Sequence, residues 1–106
     1  MPEIVPPPDL VDLKVQFIEA DDGYRQICRS FPTGEQIVML IKDGLTPIAD
    51  EDAQRSHDAF QRCVNLAKLI QAHSWWRTQP SRADADRALW DAARAQIAAK
   101  QPAAVG

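Results

Sequence analysis

Glycine is scarce in this chain, four residues in 106, and the glycines stand apart. No G-x-G-x-x-G run and no P-loop can be assembled from them, which removes the backbone cradles that hold dinucleotides and nucleotide phosphates. Cysteine is scarcer still. Cys28 and Cys63 match no C-x-x-C ligand pair, so neither a zinc knuckle nor a disulfide framework is available, and two reduced thiols are the expectation. No apolar run approaches the ~20 residues that span a bilayer, so no membrane association is expected. The opening MPEIVPPPDL has neither the basic segment nor the apolar segment of a secretory signal, and a cytoplasmic location follows as the expectation.

Catalytic patterns are also missing. His57, Cys63 and His73 are spaced by six and ten residues, whereas two ligands on one helix face need a spacing of three or four. The same spacing denies Cys63 a histidine base within hydrogen-bond reach. The serines lack the G-x-S-x-G context of a strained nucleophile. The acids Asp21, Asp22, Asp50, Glu51 and Asp52 lack the alternation and central glycine of a calcium loop. The pattern argues against an enzyme and implies no cofactor and no metal.

What is present is an ordinary globular composition, 45% apolar and 25% charged, in a length suited to one domain with a modest core. Alanine, arginine, aspartate and proline are frequent, as in a bacterial or phage gene of high GC content. The net charge of −3 hides a division. Residues 1–52 hold eleven acidic and four basic side chains, whereas residues 53–106 hold four acidic and eight basic ones. Such a division suits two layers, or two copies in a homodimer, that attract each other.

The first nine residues read as a Pro-rich arm, because Pro6, Pro7 and Pro8 favour an extended backbone. Residues 10–100 read as a single domain and 101–106 as a frayed tail. Within the domain, Val11, Leu13, Val15 and Phe17 alternate with polar residues, the period of a half-buried strand. Asp22-Gly23 reads as a hairpin turn and Tyr24–Phe31 as the returning strand. After Pro32-Thr33-Gly34-Glu35, the run Gln36–Lys42 has strand length and is almost wholly apolar, so it reads as the most buried strand. The first half therefore predicts a three-stranded antiparallel β-meander.

From Asp50 to Gln79 the period changes to that of a helix. Phe60, Cys63, Val64, Ala67 and Ile70 form its apolar stripe. Pro80 ends it. Ser81-Arg82-Ala83-Asp84 resembles a capping box that opens a second helix from about Arg82 to Lys100. The expected class is α+β in the order β-β-β-α-α, with the long helix packed on the sheet. The other sheet face, carrying Ile18, Tyr24 and Cys28 with alternate members of 37–41, would stay partly exposed and favour a homodimer.

The corner between the helices has the most recognition content. His73, Trp75, Trp76, Arg77 and Arg82 gather there, and Trp and Arg dominate interface energetics. These five are the expected partner-binding residues. The function they point to is a small non-catalytic protein–protein interaction module, an adaptor, inhibitor or assembly factor that acts by occupying a partner's surface. The alternative is a nucleic-acid-associated module that uses the same Trp/Arg corner for stacking. Nucleic acid is the weaker reading, because phosphate binders are usually basic overall and this chain is acidic.

Overall fold

A computed structural model describes residues 3–100, and every regular element among them is an α-helix. In chain order these are α1 (Pro8–Arg29), α2 (Gly34–Lys42), α3 (Asp50–Ala72), α4 (Ser74–Arg77) and α5 (Arg82–Lys100). Helix accounts for 79% of the described residues and no strand occurs among them. The α+β class, the antiparallel sheet and the β-β-β-α-α order are therefore corrected to an all-helical fold.

The first expected hairpin is α1. Pro8 starts it, where the missing N–H costs nothing, and Asp9 adds an acid to its first turn. Val11, Leu13, Val15 and Phe17 do alternate, but the residues α1 buries are Leu10, Val11, Lys14 and Val15. That spacing is helical, and the alternation is only its accidental overlap with period two. Asp22-Gly23, read as a turn, lies inside the helix, where Arg25 Nε donates to Asp21 Oδ2 at 2.9 Å across one turn.

The run read as the central strand is α2, and its ends explain why. Thr33 Oγ1 accepts from the Gln36 N–H, while Gln36 Oε1 accepts from the Thr33 N–H at 2.8 Å. This is a complete capping box. At the other end Gly44 has φ +74°. Its N–H donates to the Ile41 carbonyl and the Leu45 N–H donates to the Leu40 carbonyl, a Schellman stop that glycine makes without a Cβ penalty. Two strong local caps outweigh the strand preference of Ile37, Val38 and Ile41.

The long helix is shorter than its periodicity implies. It stops at Ala72, because His73 is extended (φ −66°, ψ 135°) and caps a new turn, with its Nδ1 accepting from the Trp75 N–H at 3.1 Å. The buried residues of α3 are Cys63, Leu66 and Ile70, whereas Phe60, read as part of its inner stripe, is half exposed. Helix α5 covers the expected span. Ser81 Oγ accepts from the Asp84 N–H at 3.3 Å.

The described residues divide into two compact units. Unit 1 holds the residues up to Glu19 and those from Asn65 onward, and unit 2 is Ala20–Val64. Unit 1 has the core: Leu10, Val11, Val15, Ile70, Leu89 and Ala93, flanked by Phe17, Ile18, Trp75, Trp76 and Ile97. Leu10 and Leu89 are fully buried, each worth roughly 1.5–3 kcal/mol of apolar transfer. The small residues Ala85 and Ala93 on the buried face of α5 let a neighbouring helix approach closely. Unit 2 buries a single side chain, Cys63. The stretch 101–106, read as a frayed tail, and Met1 and Pro2 of the Pro-rich arm lie outside the described residues.

Candidate interaction surfaces

The corner between the expected helices is in unit 1. Adjacent Trp75 and Trp76 both lie in α4, about 100° apart around its axis, and both pack against the core while remaining half buried. His73 is anchored on its other side, where Nε2 meets Asp9 Oδ2 at 2.9 Å. The hydrogen bond from His73 holds the Asp9 carboxyl below the usual carboxylate range. Thr78 closes α4 by donating its hydroxyl to the Ser74 carbonyl at 2.9 Å. Arg77 and Arg82 are exposed. Beside them lies a shallow cleft of about 410 Å³, lined by Ile4, Val5, Trp75, Gln79, Pro80 and Asp84. Of the five expected residues, then, His73, Trp75 and Trp76 have structural duties in unit 1, and Arg77 and Arg82 flank them at the surface.

A second cluster in unit 1 was not legible in the sequence. Lys14, which the strand pattern assigned to solvent, is buried. Its Nζ lies 4.3 Å from the Trp90 ring centroid and 5.0 Å from that of Phe17, and 3.5 Å from Asp86 Oδ1. Arg94 covers Trp90 as well, at 5.0 Å. Burial pulls the Lys14 ammonium below the usual lysine range, and the nearby Asp86 opposes that shift. Gln96 Nε2 donates to Asp12 Oδ1 at 2.7 Å and further ties α5 to α1. Asp86 pairs with the Lys14 charge, and the adjoining cavity, about 170 Å³, is small.

Unit 2 differs. Its α2 has no buried residue, and Val38, Met39 and Ile41 are 52%, 62% and 60% exposed. Leu45, just past the helix, and Phe60 on α3 are exposed too. Below Met39 an open groove of about 780 Å³ is lined by Ser30, Phe31, Pro32, Glu35, Gln36, Met39 and Leu40. Elsewhere in the unit Tyr24 stacks at a tilt on Phe60, with centroids 5.6 Å apart. A hydrogen bond with Cys28 pushes the Tyr24 phenol up, and burial pushes the Cys63 thiol up. Both cysteines are free. Among the described residues no group of three or more His, Cys, Asp and Glu side chains is placed to hold a metal ion. No described helix is long and apolar enough to cross a membrane.

That 34–42 is a helix with no buried residue is the feature that sequence reasoning missed. Apolar content pointed to a buried strand, whereas the T-x-x-Q pattern of Thr33 and Gln36, a helix-start signature, was the signal that could have identified a helix.

Residues 9–92 match the model of a family described as a domain of unknown function, DUF8825, and the chain belongs to that family. No curated protein matches the chain, and no solved structure does.

Proposed function

We propose that this member of the family is a small non-catalytic protein–protein interaction module of the cytoplasm, an adaptor, inhibitor or assembly factor, that works by presenting the outer face of α2 to a partner. The observation that carries this reading is the exposure of Val38, Met39 and Ile41 on a capped helix with no buried residue. Several large apolar side chains left exposed on one short helix mark an association site. An apolar helix face is also a familiar element of recognition, because its anchors are spaced to fill a groove.

The charge around it favours protein over phosphate. Unit 2 holds eight acidic and five basic side chains, and nucleic-acid sites need the opposite balance. The corner of Trp75, Trp76, Arg77, Arg82 and His73 is a secondary surface in this proposal, since the core of unit 1 already covers much of both rings.

The test is affinity purification from the native host with the wild type beside Val38→Lys and Arg77→Glu. Both positions are outside the core, so folding is retained. The expected result is a bound polypeptide lost on Val38→Lys and reduced at most slightly on Arg77→Glu. Equal recovery by wild type and Val38→Lys sinks the α2 reading.

A further inference from the structure

We infer that the occupant of the α2 face is a second copy of this chain, docked with its own α2 antiparallel to the first across a two-fold axis; this rests on the reading of α2 as the docking face. The argument is one of charge and symmetry. Glu35 and Lys42 stand seven residues apart, two turns of helix, and so share almost one angular position, within about 20°. Both are exposed, with Val38 and Met39 on either side of the line between them. The point midway between Val38 and Met39 is equally distant along the helix from Glu35 and from Lys42.

A two-fold axis through that point, lying in the contact plane and perpendicular to both helix axes, therefore sets Glu35 of one copy against Lys42 of the other, twice over, and leaves Val38 beside the second Val38 and Met39 beside the second Met39. The face is complementary to itself in the antiparallel sense, which is what an isologous interface demands. In the parallel sense Glu35 would face Glu35 and Lys42 would face Lys42. The same axis brings the two Met39 side chains together, each beside the groove that it lines with Phe31, Pro32, Gln36 and Leu40 of its own copy. The pairing thus covers Val38 and Met39, which the single chain leaves in water, and it sets the charge pairs at the two ends of the contact, where they stay partly hydrated and select register more than they add affinity.

Two nine-residue helices bury less than a standard interface of ~1,600 Å². The dimer is accordingly weak, with a dissociation constant of roughly 10–100 μM, and depends on concentration.

Charge reversal tests both the copy and the orientation. By symmetry Glu35→Lys replaces two attractions with two repulsions, and Lys42→Glu does the same with the opposite sign. Sedimentation equilibrium on the full chain is expected to show a wild-type dimer that either single reversal weakens roughly tenfold. An equimolar mixture of E35K and K42E should restore association, because each contact in the mixed dimer is again of opposite sign. The double variant E35K/K42E should dimerise like the wild type. Recovery in the mixture separates lost complementarity from a damaged helix. A wild type that is monomeric up to about 500 μM, or a dimer indifferent to both reversals, overturns the inference.

A photo-crosslinking residue in place of Met39, activated in the native host, separates this failure from failure of the broader reading. An adduct of twice the chain mass supports the second copy. An adduct with a different polypeptide overturns the second copy and leaves α2 as a docking face, and no adduct overturns both.

Discussion

Lys14 and Trp90 meet with the ammonium 4.3 Å from the ring centroid, in the middle of the α1–α5 contact of unit 1. The charge sits among aromatic faces with one partly exposed carboxylate, Asp86, as its ionic partner. A buried ion pair of this kind contributes little net stability, because desolvation offsets attraction. Lys14→Met, similar in volume and without charge, should therefore stay within about 1 kcal/mol of wild type at pH 7 in a urea melt. The pH profile should separate the two proteins. Lys14 binds its proton less tightly folded than unfolded, so the wild type gains stability relative to Lys14→Met as pH rises towards the ordinary lysine range. A difference between the two that does not change between pH 7 and the alkaline limit contradicts the burial of this group.

The Asp9–His73 contact gives the opposite pH signature. The folded state holds the Asp9 carboxyl below its ordinary 3.8, through the His73 hydrogen bond first. Its contribution is complete above the unfolded value and is lost as pH falls through the folded one. Wild type should exceed Asp9→Asn in stability at neutral pH, and the two should converge in acid. Because Asp9 is exposed, the difference is small, and thermal melts of the two proteins side by side from pH 2 to pH 7 are needed to see it.

Two glycines should respond in opposite directions to alanine. Gly23 is inside α1 with nothing within 4 Å of an added Cβ. Gly23→Ala should stabilise the chain by about 0.5–1 kcal/mol, since glycine costs that much in a helix interior. Gly44 also has open space but takes φ +74°, so Gly44→Ala should cost roughly 1–2 kcal/mol through backbone strain alone. Urea titration of both variants checks the pair, and stabilisation by Gly44→Ala contradicts the left-handed stop.

The cysteines should be distinguishable chemically. Burial raises the Cys63 thiol and keeps it protonated at neutral pH, and thiolate is the reacting form. With limiting iodoacetamide at pH 7.5, peptide mass spectrometry should find Cys28, which is partly exposed, alkylated well ahead of Cys63. Equal labelling at early times contradicts the packing around α3.

The helical half of the chain was legible because its signals agree. Ser81 supplies a cap, Pro80 precedes it, and Leu89, Ala93 and Ile97 keep one register, so α5 emerges at its observed bounds. In the first half the signals conflict. Val11, Leu13, Val15 and Phe17 satisfy period two, yet Leu10 and Ile18 beside them complete a helical stripe that the alternation ignores. The 37–41 run has the composition of a strand, and only the backbone bonds of Thr33, Gln36 and Gly44 reveal that its ends are locked as a helix. The break at His73 was hidden because a histidine that caps and a histidine that continues a helix look alike in sequence. For the site, residue type located the Trp75–Arg82 corner, but burial decides what such residues are free to touch. The alternation expected only every second member of 37–41 to be partly exposed, whereas Val38, Met39 and Ile41 all face water, because nothing local to α2 records the lack of a neighbour.

That lack has a dynamic side. Helices α1 and α3 each contribute to both units, so one continuous helix crosses from a stretch packed around Leu10 and Val15 into a stretch whose unit buries only Cys63. Amide exchange follows local opening, and opening is cheapest where little apolar surface must be re-exposed. Protection should thus fall along the length of a single helix, high near Val15 and low near Arg25, and α2 should exchange fastest of the longer helices. In a dilute cell extract the same segment would be the first that proteases find, which makes the lifetime of the free chain a readout of how much of it is engaged.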